Sequence, residues 1–325
     1  MFARKLKIMS EKWGEIGTTP MMVPSFSSRS NIKIRETIYF LRDCDYTGPM
    51  LVSAYDLKYT KKFPNMNFSD LLFLDSGGYE VAKDMDVSEI GLYKPDPHEW
   101  NRELHKATIK KWSTSKPTIL ISYDHPYERH TIQEQISNAE LLFRRRRKFS
   151  KEILLKSERS NHTIDIDHII ENAESLNQFD IIGMTEKELG SSVLERMLNI
   201  AKLRIGMHSS GVEKPIHLFG SLDPITTPLY YLSGADIFDG LSWLRFMFDN
   251  SNTLYIDSYG PRKYGIEVRL EQIWKISMSA NNQMFARLKL DLEKFQLTND
   301  FKIFGDQADF FEKSYQDFES QLRRD

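Results

Sequence analysis

A single cysteine, Cys44, stands in the whole chain of 325 residues. No internal disulfide can form from it, and no zinc site built of several thiolates can be assembled. Long apolar runs are missing as well. Nowhere do about 18 apolar residues follow one another, which excludes a membrane-spanning helix, and Met1 to Lys12 lacks the apolar stretch of a secretory signal. With a chain so poor in cysteine, a cytoplasmic location is expected. One-sided charge is also missing: 44 Lys and Arg stand against 46 Asp and Glu, a net charge of −2. Such a chain is no broadly basic nucleic-acid coat, and a polyanion would have to meet a local patch. Low-complexity linkers and readable repeats are absent too.

What is there is the composition of a folded globule, 40% hydrophobic and 28% charged. Eight short apolar runs recur, each bounded by polar or turn residues: Met21 to Val23, Met50 to Val52, Leu71 to Leu74, Thr118 to Ile121, Ile153 to Leu155, Phe179 to Ile182, Ile216 to Phe219 and Ala235 to Phe238. Between them lie stretches of helical period with start and stop signals. Thr131 to Glu134 reads as a capping box ahead of Ile132, Ile136, Ala139 and Phe143, and Ser192 to Glu195 repeats it ahead of Met197 and Ala201. Asp96-Pro97-His98-Glu99 combines an N-cap, a proline at the first helical position and an acid in the first turn, so it predicts another helix start. Gly234 predicts the stop of the helix that holds Pro228 to Leu232.

Eight buried strands alternating with helices predict an α/β fold, a parallel (β/α)8 TIM barrel, with an open doubly wound sheet as the alternative. Beyond about Tyr264 the pattern turns helical: Ile266, Leu270, Ile273 and Trp274, then Phe285, Leu288, Leu292 and Phe295, fit amphipathic helices. The reading is therefore a barrel domain over residues 1–263 and a helical extension over 264–325, packed on the barrel.

Active sites of such barrels lie at the carboxyl ends of the strands, where this chain carries Asp75, Asp124 and Asp239, with Glu188 just past Ile182-Gly183-Met184. An aspartate there often does no more than cap a helix or bind turn amides. Four carboxylates at one end, two of the aspartates leading into glycine-containing turns, point instead to a polar pocket with a task. Several carboxylates without cysteine or metal suit chemistry at an acetal-like carbon, where one attacks and another moves a proton. Tyr79 and Trp243 offer flat stacking faces there, or serve as core aromatics.

These segments resemble, in order, the motifs of the guanine transglycosylases, which exchange a guanine in a nucleic acid for a 7-deazaguanine base. Asp75-Ser76-Gly77-Gly78-Tyr79 is similar to that family's Asp-Ser-Gly-Gly-aromatic motif, Tyr123-Asp124 to its Phe-Asp-Glu motif, and Gly183-Met184 with Glu188 to its base-binding loop. The run from Pro215 to Pro224 followed by Gly234 to Asp239 resembles the segment that ends in the family's nucleophile, and Arg245 falls where its Pro-Thr-Arg arginine stands. The likeness spans roughly residues 18 to 250. It implies Asp239 as nucleophile, Asp75 as general acid/base and Asp124 as reader of the guanine edge. It further implies a base pocket of Ser76, Gly77, Gly78, Tyr79, Gly183, Met184 and Glu188, with Arg245 on a phosphate or ribose. The implied partners are DNA or tRNA, a 7-deazaguanine-type base, and a second copy or partner subunit, with no membrane.

Departures accompany the likeness. The tRNA enzymes carry a Cys-x-Cys-x-x-Cys plus His zinc site after the nucleophile, whereas Asn250 to Arg262 holds no cysteine, so a zinc subdomain and any other cofactor are not expected. Trp243-Leu244 replaces Pro-Thr, His125-Pro126 replaces the Glu-Cys after the guanine-binding Asp, and Leu155 to Glu158 replaces Val-Gln-Gly-Gly, which leaves the incoming base open. The altered segment at Trp243 leans toward the family's DNA-modifying branch. Other readings of the same residues are a retaining glycosidase, which also needs two carboxylates, a metal-dependent hydrolase using His125, His130, His162 and His168, and a non-catalytic subunit. Arg144 to Lys148 is either a phosphate-binding run or the basic end of the helix begun at Thr131.

Overall fold

The computed structural model describes residues 2–30, 33–82, 96–159, 162–249 and 252–324. Each of the eight apolar runs forms a strand: β1 (Met21–Phe26), β2 (Met50–Ser53), β3 (Leu72–Asp75), β4 (Thr118–Ile121), β5 (Ser150–Leu155), β6 (Ile181–Thr185), β7 (Ile216–Phe219) and β8 (Ile237–Gly240). The strands are parallel and close in the order β8-β1-β2-β3-β4-β5-β6-β7, with Asp239 of β8 in register with Val23 of β1. That closure excludes the open sheet and shows a (β/α)8 barrel with additional C-terminal helices.

Alternation along each strand sorts the side chains into two layers. Met21, Val23, Leu51, Phe73, Ile121 and Leu154 point inward and fill the barrel. Met22, Val52, Leu74, Leu155, Met184 and Phe238 point outward into the helical layer. Burial of each such side chain contributes ~2 kcal/mol. An antiparallel hairpin that the sequence reading did not foresee, Lys7–Ser10 with Gly14–Thr18, sets Ile8 and Ile16 against the interior cluster. These residues meet Met21, Leu71 and Ile237 at the amino ends of the strands, so the hairpin closes the barrel floor.

Thr131 and Glu134 form the expected capping box on Ile132–Phe143, Ser192 accepts from the Glu195 amide, and Gly234 ends Thr226–Ser233 in the left-handed conformation at φ 116°. The signal at Asp96 misleads. The helix begins six residues later, at Arg102, with Asn101 as its cap. Tertiary bonds take the preceding segment elsewhere: the His98 amide donates to the Tyr55 hydroxyl at 2.9 Å, and Trp100 Nε1 donates to the Ser76 carbonyl at 3.0 Å.

After β8 a second hairpin, Phe246–Asp249 with Asn252–Tyr255, leads into the helix Ile256–Tyr264. Asn250, where the cysteine-free segment starts, lies outside the described residues. The hairpin and helix are pinned by an apolar cluster of Met247, Ile256 and Ile273. The long helix Leu270–Thr298 then turns Phe285, Leu288, Leu292 and Phe295 toward the barrel, and Ala308–Leu322 adds Phe311, Tyr315 and Phe318. Ile266 departs from the expected apolar face and is 92% exposed, because the helix starts only beyond it. The basic run follows Phe143 and leads directly into the start of β5, which sets it at the floor end, away from the mouth. No helix among the described residues is long and apolar enough to cross a membrane.

Candidate active site

Asp75 ends β3 in register with Ser53, and Asp239 lies near the end of β8, so both carboxylates stand at the carboxyl mouth of the barrel. Both are buried. The turn after β3 is shaped by its glycines. Gly77 adopts φ 89°, and a Cβ there would lie 2.6 Å from Tyr55 Cβ. A Cβ on Gly78 would lie 3.0 Å from both the main-chain oxygen and Oδ2 of Asp124, so the absence of a side chain is what lets the Asp124 loop come this close. The Gly77 amide donates to Asp75 Oδ2 at 3.1 Å, and the Gly78 amide donates to Ser76 Oγ at 3.1 Å. Tyr79 stands 40% exposed beyond this turn, with the Arg29 guanidinium 4.6 Å from its ring centre.

The protonation of Asp75 follows from that setting. Burial pushes its pKa up, the amides of Gly77 and Ser76 oppose, and the charges of Asp124 and Asp239 push it further, to about 6. Burial also raises Asp124, against the pull of Lys156 and Arg129. Lys156 Nζ lies 4.0 Å from Asp124 Oδ2 and 3.1 Å from Glu188 Oε1. Glu188 is further approached by Arg129 at 3.7 Å and accepts from the Ser157 amide at 2.9 Å. It is thus already paired with cations, and it shapes the pocket by holding Lys156 beside Asp124. The sequence reading noted Lys156 only as part of a departure; a cation at a strand end was its signal.

Asp239 has different neighbours. Ser25 Oγ donates to its Oδ2 at 2.6 Å, and the Gly220 amide donates to Oδ1 at 3.1 Å. His217 Nε2 lies 3.5 Å from Oδ1, while His217 Nδ1 meets Glu152 Oε1 at 2.6 Å. Ser25, His217 and Glu152 were not anticipated. His217 was legible only as a polar residue inside an apolar run, and Glu152 only as the residue just before one.

The remaining candidates separate. Gly183 faces inward, and a Cβ on it would lie 2.7 Å from Glu152 Oε1 and 2.6 Å from the Phe219 ring. Met184 is fully buried in the outer layer, its main chain in register with Leu155 and Leu218. Trp243 is a core aromatic and not a stacking surface: it is fully buried, donates from Nε1 to the Ser25 carbonyl at 3.2 Å, and packs edge-on against Phe26. Arg245 lines a groove of about 350 Å³ with Tyr255, Asp257, Glu271 and Trp274 on the flank made by the second hairpin and the long helix.

A further groove, of about 520 Å³, opens beside the Asp124 loop, lined by Arg102, His125, Glu128, His130 and Glu134. His125 and His130 share Glu128 at 3.7 and 3.9 Å, whereas His168 pairs with Glu158 at 3.3 Å. No group of three or more His, Cys, Asp or Glu side chains among the described residues could hold a metal ion. No protein-family model matches the chain, and no curated protein matches it.

Proposed function

We propose that the chain is a transglycosylase that exchanges a guanine in nucleic acid for a 7-deazaguanine-type base through a covalent aspartyl-glycosyl intermediate. The observation that carries this reading is the unequal setting of two carboxylates at one mouth. Asp75 is held near pKa 6 and so carries a proton readily, whereas Asp239 accepts from Ser25 and the Gly220 amide and faces the His217 ring at 3.5 Å. One suits an acid and the other a nucleophile.

In the first half-reaction an oxygen of Asp239 forms a bond to C1′ of a nucleotide turned out of its stack, and the C1′–N9 bond breaks. Its electron pair leaves with guanine, which takes up the proton of Asp75. In the second, N9 of the incoming base attacks C1′, its proton returns to Asp75, and the ester to Asp239 breaks. Asp124 accepts from the N1–H and amino group of the base, as a carboxylate does from such donors. Lys156 sets the charge beside it, Tyr79 offers a stacking face at the rim, and Arg245 is the contact to the strand backbone. DNA is put slightly ahead of tRNA on the sequence departure alone, Trp243-Leu244 standing in place of the tRNA enzymes' Pro-Thr.

The test is to incubate the protein with radiolabelled guanine and, separately, bulk tRNA and double-stranded DNA, with Asp239→Ala as control. Label retained in one polymer and lost in the variant supports the exchange and names the substrate. Label in neither speaks against the reading.

A further inference from the structure

Two buried ionisable side chains take no step in the exchange as written. Glu152 of β5 and His217 of β7 are each fully buried inside the barrel, joined at 2.6 Å across the intervening strand β6. At Gly183 that strand has no side chain, and any Cβ there would collide with Glu152. An ion pair in a barrel core is no better for stability than two packed hydrophobic residues, because both charges must leave water. The other ring nitrogen gives the pair a use. His217 Nε2 is buried, has no hydrogen-bond partner among the described residues, and faces Asp239 Oδ1 at 3.5 Å. Phe219 stacks on the ring at 4.1 Å and Phe73 packs on it at 5.5 Å, so its orientation is fixed.

We infer that His217, clamped by Glu152 across Gly183, is the positioning residue of Asp239: it engages Oδ1, holds the carboxylate in one rotation and leaves Oδ2 as the attacking oxygen. The inference rests on the base-exchange reading of this site. Oδ1 already accepts from Gly220 and would receive His217 as a second donor; Oδ2 accepts from Ser25. Each carboxylate oxygen offers about two lone-pair sites, so the oxygen with one donor keeps a lone pair for C1′. The charged groups facing Asp239 are His217 from β7, Glu152 from β5 and Asp75 from β3. Burial alone would lower the imidazole pKa, but Glu152 and Asp239 outweigh it and push it up to about 9, so the ring is charged at neutral pH.

Ring-nitrogen NMR of the full-length protein tests the clamp without any substrate, the His217 signals being assigned by their loss in His217→Gln. A doubly protonated ring through pH 8, whose pKa falls by roughly one unit or more in Asp239→Asn and in Glu152→Gln, is the expected result. A neutral ring at pH 7, or one indifferent to Asp239→Asn, overturns the inference. In kinetics, the double variant Glu152→Gln with His217→Gln removes both members of the buried ion pair at once. Its rate of covalent adduct formation is expected to fall by about tenfold or more while the Kd for polymer stays within about threefold. An adduct rate within about twofold of wild type, or a Kd that weakens in step with the rate, marks a purely structural pair and overturns it. A ring that titrates as expected in a wild-type protein that forms no adduct with DNA or tRNA supports the clamp and overturns the exchange instead.

Discussion

Asp236 precedes β8 at the floor and Asp239 lies near its end at the mouth, and their partners differ accordingly. Asp236 is fully buried against the Arg204 guanidinium, accepts from the Ile216 amide at 2.8 Å, and lies 3.6 Å from Arg4. Asp236→Ala leaves Arg204 buried without its counter-charge and is expected to cost about 3–5 kcal/mol in urea unfolding. At the mouth, Asp75→Asn acts in the opposite direction. A folded-state pKa of about 6 exceeds the ordinary carboxylate value, so the native state holds its proton more tightly than the unfolded chain. Wild-type stability therefore falls as pH rises from about 4 to 6 and stays lower above. The variant lacks that loss and is expected to be more stable than wild type by ~3 kcal/mol at pH 8 and equal to it at pH 4. A stability difference independent of pH would refute this origin. The same proton predicts that adduct formation slows as pH rises through about 6. Gly78→Ala tests the Asp124 approach: its Cβ would press on Asp124, so KM for the incoming base should rise ~tenfold while unfolding changes little. The three aspartates were legible because strand-end carboxylates follow apolar runs in the chain. Which of them carries a proton was implied only by the resemblance, which names Asp75, because the burial and charges that raise its pKa come from neighbours distant in sequence.

At the scale of elements, Asn281 of the long helix is buried and makes three bonds to the segment after β8. It donates to the carbonyls of Trp243 at 2.8 Å and Phe246 at 2.7 Å, and accepts from the Phe248 amide at 2.8 Å. Asn281→Leu keeps the volume but strands these groups, and a loss of about 3 kcal/mol is expected by thermal or urea unfolding. Near-wild-type stability would show that water replaces the amide. The strands were readable because runs of three or four residues, mostly apolar, between turn signals have few alternatives. The floor hairpin was not, since each of its short strands shows one apolar residue, Ile8 or Ile16, to the core. The helix start at Asp96 was misread because Pro97 and Glu99 satisfy the local rule while Tyr55 and Ser76 capture the segment from across the mouth.

The barrel's outer layer and the C-terminal helices form one continuous apolar cluster that runs from Met22 to Phe318. Removal of residues 264–325 would take away Phe285, Leu288, Leu292, Phe295 and Phe311 and uncover the barrel's outer layer beneath them. At ~2 kcal/mol each, that burial is comparable to the whole net stability of a domain, ~5–15 kcal/mol. The truncated chain is expected to aggregate or to show non-cooperative melting by circular dichroism; a sharp transition would instead mark the extension as dispensable. By itself the sequence determined the eight strands, most helix caps and three mouth carboxylates, because period, capping and chain order act between residues close in the chain. Tertiary structure alone decided that Glu152 meets His217 from 65 residues away, that His217 faces Asp239, and that Lys156 stands between Asp124 and Glu188. Burial and Coulomb attraction depend on distance through space, and only barrel closure sets those distances.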